Sequence, residues 1–128
     1  VESTCITIHS DLDVVTARSA ARELARNIGF HPIDQARVAT VVSELARNIY
    51  LYAGEGQVKL HQVQNNGRSG IEITSQDKGP GIENAERLIQ DNTSITQGLP
   101  GARRLMDEFE IDSHLGKGTT IVCRKWHG

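Results

Sequence analysis

Residues 71–77, Ile-Glu-Ile-Thr-Ser-Gln-Asp, alternate apolar and polar and then run into Lys78-Gly79-Pro80-Gly81. Side chains of a strand alternate between its two faces, so Ile71, Ile73, Ser75 and Asp77 share one. If the isoleucines face a core, Asp77 faces it too, and an inward carboxylate is costly unless something hydrogen-bonds it. Gly79 and Gly81 let backbone come close to a ligand. An inward Asp beside such a turn can accept from an exocyclic amine such as that of adenine. Taken alone, an Asp before Gly-Pro-Gly is an ordinary turn residue.

A second polar pair lies upstream. Glu44 and Asn48 are four apart on a predicted helix and stack on one face. With Glu44 at zero on a helical wheel, Asn48 falls at about 40°, and Val38, Val41, Leu45 and Ile49 centre near 100°. The pair therefore borders the buried stripe, as a base and a metal-binding amide at a pocket rim would.

The rest of the chain reads as elements around these two pieces. Residues 4–9 predict a strand. Asp11 or Asp13 is expected to cap a helix starting near Val14, with a stripe of Val14, Ala17, Ala21, Leu24 and Ile28 ending at Gly29. Pro32 and Asp34 open the second helix, expected to run to Ala53-Gly54. Strands 56–64 and 70–77 flank a turn at residues 65–68, Asn-Asn-Gly-Arg. A short helix over 83–90, a helix from Pro100 to Phe109, and strands 110–114 and 119–125 around Gly116 and Gly118 complete the series. Helices are interspersed among the strands without dominant βαβ alternation. The expected fold class is α/β, an α+β two-layer sandwich with a helix layer on a mixed, largely antiparallel sheet.

Bulk properties narrow the classes. The 128 residues suit one domain spanning 1–128. The net charge of −2 gives no hint of a nucleic-acid or membrane partner. There is no run of membrane-spanning length. Cys5 and Cys123 lack metal spacing, and both fall in strand-like stretches where Cys is usually a buried apolar residue; a reduced cytoplasmic protein is expected. The five histidines are scattered singly, so no metal cluster of protein ligands is expected. Neither a P-loop nor the catalytic loop of eukaryotic-type protein kinases is present.

The order Glu44-x-x-x-Asn48, Asp77-x-Gly79-x-Gly81, Gly98-Leu99-Pro100-Gly101 and Gly116-Lys117-Gly118-Thr119 resembles the GHKL (Bergerat-fold) ATPase and kinase superfamily over nearly the whole chain. Residues 43–54 and 99–109 are most similar to small serine/threonine kinases of bacterial partner-switching modules, the switch kinases of stressosomes. The resemblance implies ATP and Mg2+ as cofactors. Asn48 would hold the metal and Glu44 would act as base. Asp77, Gly79, Gly81 and Thr119 would bind the nucleotide, with Gly98, Gly101 and the start of the last helix on its phosphates. It also implies STAS-domain antagonist and scaffold proteins as substrates, and a PP2C-type phosphatase regulatory domain as second partner. Arg47, Arg103 and Arg104 are candidates for pairing with acidic partner groups. An anti-sigma factor kinase and a non-catalytic ATP-binding adaptor are the alternatives. Residues 92–98 are short for the lid of this family.

Overall fold

A computed structural model describes residues 3–80, 99–114 and 116–127. The expected short helix at 83–90, the stretch 92–98, Gly81 and Gly98 lie outside them. The described chain runs β1 (Ser3–Ile8), α1 (Asp11–Ile28), α2 (Pro32–Asn48), a π-helical turn (Ile49–Ala53), β2 (Gly56–Asn65), β3 (Arg68–Asp77), α3 (Leu99–Leu105), β4 (Glu108–Ser113) and β5 (Thr119–His127).

Local chemistry accounts for the helix ends. Ser10, not Asp11 or Asp13, caps α1: its hydroxyl oxygen accepts from the Asp13 amide, and Asp13 Oδ2 accepts from Ser10 Oγ and the His9 amide at 3.0 Å each. The two side chains thus satisfy orphan donors reciprocally, and the helix starts three residues before Val14. Gly29 ends it at φ 112°, donating to the carbonyls of Ala25 and Arg26. Pro32 opens α2, where a missing amide proton costs nothing. The expected run to Ala53 keeps its helical course but widens. The Gly54 amide donates to the Ile49 carbonyl at 2.9 Å, the i→i+5 bond of a π turn.

The five strands order as β1-β2-β3-β5-β4, antiparallel at every described pairing. Asn66 and Gly67, at φ 53° and 79°, form the two-residue turn between β2 and β3. One sheet face carries the helices. Ile8, Val58, Leu60, Ile71, Ile73, Ile121 and Cys123 are buried there beneath Val14, Ala21 and Leu24 of α1 and Val38, Val41, Val42 and Leu45 of α2. This is the expected two-layer sandwich. The other face is polar, laced by Arg124, whose Nε and Nη1 donate to Glu72 at 2.8 Å and Glu108 at 3.0 Å.

Two expectations are corrected. The last helix stops at Leu105, and residues 108–109 belong to β4, because Phe109 packs on the core opposite Cys123. Cys5 is exposed, since β1 places it on the polar face. Cys123 is buried, and burial pushes its thiol up to about 12. Among the described residues no helix is long and apolar enough to cross a membrane.

Candidate nucleotide site

The antiparallel register brings the ends of three strands into one rung. Asp77 on β3 lies opposite Thr119 on β5, and Thr119 lies opposite Ser113 on β4. All three belong to the helix-facing set, in phase with Ile73 and Cys123 further along the strands. Polar groups thus sit at the end of the sheet where the core opens.

Asp77 faces inward as its spacing predicts, and it is half-buried. Its Oδ1 accepts from the Gly79 amide at 2.9 Å, and the nearby Thr119 backbone also favours the charged carboxylate. Burial nonetheless dominates and raises its pKa above the ordinary 3.8. Gly118 lies directly against the Asp77 carbonyl and Lys78 Cα, where a Cβ has no room. The Gly116 amide donates to the Pro80 carbonyl at 2.6 Å, which ties the β4–β5 turn to the loop after Asp77. Gly79 has a packing role that its sequence does not reveal. A Cβ there would come within 2.6 Å of Ala53 Cβ, so the glycine admits the π turn.

Between this rung and α2 lies a narrow cleft of about 40 Å³. Its polar wall is Asn48, Tyr52, Ser75, Asp77 and Thr119, and Leu45, Ile49, Leu99 and Ile121 form its apolar side. Sites that enclose drug-sized ligands hold roughly 300–1,000 Å³, so the cleft is smaller than a whole nucleotide needs. Asn48 Nδ2 is buried here without a hydrogen-bond partner. Such an orphan donor typically costs about 1–3 kcal/mol.

The structure therefore brings Asn48, Asp77 and Thr119 together, with Gly79 adjoining. Glu44 stands one helical turn from Asn48 and does not line the cleft; its Oε1 accepts from Arg47 Nη1 at 2.8 Å. Gly101 is exposed on α3, with open space beside it. Sequence reasoning missed Tyr52, Ser75 and Ser113. Ser75 carries a signal, since it is the polar residue within the inward set of β3. Ser113 carries none, because only the β4–β5 register places it beside Thr119.

A chain with an inward Asp on a central strand, a polar amide on the facing helix and a glycine turn against that Asp matches known proteins accordingly. Residues 9–125 match the histidine kinase-like ATPase domain family, and the chain belongs to it. It is similar to the serine/threonine-protein kinase RsbT of Bacillus subtilis, with 45% identity over 98% of this chain and 97% of that protein. It is also similar to the anti-sigma F factor of Clostridium acetobutylicum, with 31% identity over 87% of this chain and 80% of that protein. Among solved structures, the SiaB–SiaC complex of Pseudomonas aeruginosa superposes with a TM-score of 0.60 at 14% identity, covering 97% of this chain and 89% of that one. The histidine kinase domain of a blue-light activated kinase from Erythrobacter litoralis gives 0.57 at 19%, covering 90% and 59%. These two likenesses concern the fold.

The family implies a nucleotide ligand, and the cleft residues fit one. The Asp77 carboxylate offers acceptors for an amino group. Asn48 Nδ2, buried without a partner, offers a donor for a phosphate oxygen or a metal-bound water, and an amide side chain also carries an oxygen of the kind a hard cation takes.

Proposed function

We propose that this chain is an ATP- and Mg2+-dependent protein serine/threonine kinase of a bacterial partner-switching module. The observation that carries the reading is the buried, unpartnered Asn48 Nδ2 in one cleft with Asp77 and Thr119, in a chain 45% identical to a serine/threonine-protein kinase. Asp77 accepts from the amino edge of the base. Asn48 would hold the cation, which would offset phosphate charge. Bound magnesium–ATP supplies the phosphoryl group and offsets the charge that builds on it. By resemblance to the family, Gly79, Gly81, Gly98 and Gly101 would serve the nucleotide, Gly79 by admitting Ala53 behind Asp77.

Glu44 is the base. It leaves Arg47, takes the proton of the substrate hydroxyl, and the freed oxygen forms a bond to the γ-phosphorus as the bond to ADP breaks. Phosphoryl transfer asks mostly for positioning and charge stabilisation, so one carboxylate and one cation site suffice. The substrates are STAS-domain antagonist and scaffold proteins of a stressosome. Once released from them, the kinase binds and activates a PP2C-type phosphatase through its regulatory domain, in the cytoplasm.

The deciding experiment incubates the chain with radiolabelled ATP, magnesium and candidate STAS proteins. Label on a STAS serine or threonine, lost without magnesium, is the expected result. Nucleotide binding with no transfer to any STAS protein would reduce the chain to an adaptor. The likeness to anti-sigma F factors supports a second reading, sequestration of a sigma factor. Pull-down against a STAS scaffold and a sigma factor in parallel separates the two.

A further inference from the structure

The rung at the mouth of the cleft extends one residue past the nucleotide-facing pair. Ser113 Oγ lies 2.7 Å from Thr119 Oγ1 and 3.2 Å from the Gly118 carbonyl oxygen. A hydroxyl has one proton to give and lone pairs to receive with. The Gly118 carbonyl can only accept, so its bond uses the Ser113 proton. The bond between the two hydroxyls must then take its proton from Thr119. Both contacts form together only if Thr119 donates to Ser113 and Ser113 donates to Gly118.

That assignment decides what Thr119 offers the cleft. Its proton points away toward β4, and its remaining lone pairs are left to line the cavity beside the Asp77 carboxylate. Two acceptors side by side favour a ligand edge that presents N–H groups, directly or through a shared water. They disfavour a carbonyl at the same place, which would face lone pairs and leave buried groups unpaired. We propose that Ser113 is a positioning residue for base specificity: through the Ser113–Thr119 hydroxyl pair it holds Thr119 as an acceptor, and so selects 6-aminopurine over 6-oxopurine nucleotides. This inference rests on the nucleotide reading of the cleft and deepens it.

The test measures dissociation constants of ATP and of inosine triphosphate, whose base carries a 6-oxo group, by competition against a fluorescent nucleotide. Wild-type protein is expected to prefer ATP. In Ser113→Ala the Thr119 hydroxyl is free to turn and donate. The ATP/ITP preference should then fall about three- to tenfold, the worth of one ordinary hydrogen bond. Ser113→Thr, which keeps the hydroxyl, should restore most of it. Thr119→Val should lose the same preference, and adding Ser113→Ala to it should change the ratio no further. Far-ultraviolet circular dichroism confirms that each variant is folded, and a Ser113→Ala protein that fails to fold passes the question to Ser113→Cys, a weak donor of similar size, which should also lower the ratio. An unchanged ratio in folded Ser113→Ala or Ser113→Cys, or a further drop in the double variant, overturns the role of Ser113 while leaving the nucleotide site intact. Wild-type protein that binds neither nucleotide overturns the nucleotide reading itself.

Discussion

Asp77 is a half-buried carboxylate whose charged form the folded chain disfavours. Burial raises its pKa above 3.8, so the folded chain holds the proton more tightly than the unfolded one. By linkage its contribution to stability is fully present below about 3.8 and is lost as pH rises through the raised folded value. Asp77→Asn has no such titration. Its melting temperature relative to wild type should climb as pH is raised from about 3.5 to 7; a falling difference would contradict the dominance of burial. The same substitution should weaken ATP binding by about 2–3 kcal/mol, roughly 30–150-fold, because a charged acceptor is replaced by a neutral amide. The two helix residues should divide differently. Asn48→Ala should abolish magnesium-dependent binding and transfer together. Glu44→Ala, at a position outside the cleft lining, should keep nucleotide affinity and lose about 10²–10⁴ in transfer rate. Equal losses of affinity in both, read by titration, would contradict that division. Asp77 and Asn48 were legible because strand and helix periods fix which way a side chain points. Ser113 was not, since its neighbour comes from another strand.

At the scale of elements, what could be read in advance was the apolar period, and what could not was the contact between segments. Gly79 looks in sequence like room for a ligand, yet the space it leaves is crossed by Ala53. The π turn itself is invisible in the pattern, because residues 49–53 continue the helical stripe and only the Ile49–Gly54 bond marks the wider turn. The end of α3 was misplaced for a related reason: Phe109 suits a helix or a strand, and pairing with Cys123 decided it. The interlock of Gly79 and Ala53 has a measurable consequence. Gly79→Ala should destabilise the protein by about 1–3 kcal/mol through overpacking. Ala53→Gly in the same chain should recover only part of that in urea denaturation, because the added Cβ would still meet the Cα of residue 53 at 2.8 Å. Failure of the second change to rescue the first would mean the clash lies elsewhere.

At the scale of the whole molecule, layers and strand order place the cleft at one end of the sheet, with Arg47 on α2 and Arg103 and Arg104 on α3 available around it. A partner that offers a hydroxyl to the γ-phosphate has to dock over this end. A standard interface takes roughly 800 Å² per partner, too much for two partners to share one end of a small domain. STAS-protein binding and phosphatase binding should therefore exclude each other. Size-exclusion chromatography of all three proteins should show two binary complexes, and a stable ternary complex would refute the overlap.

The tight Asn66-Gly67 turn has a consequence for how the site comes into being. It joins the two longest strands with the least possible chain, so β2 and β3 can zip by purely local pairing, a process that takes microseconds in isolated hairpins. Asp77 sits at the far end of that zipper, opposite Gly56. Its partner Thr119 arrives only when β5 returns from the distal part of the chain, and such non-local closure is the slow step in sheets. The acid of the cleft is thus laid down early and its hydroxyl late. During synthesis the unfinished chain therefore carries Asn48 and Asp77 of the cleft but lacks Thr119 until β5 has been added.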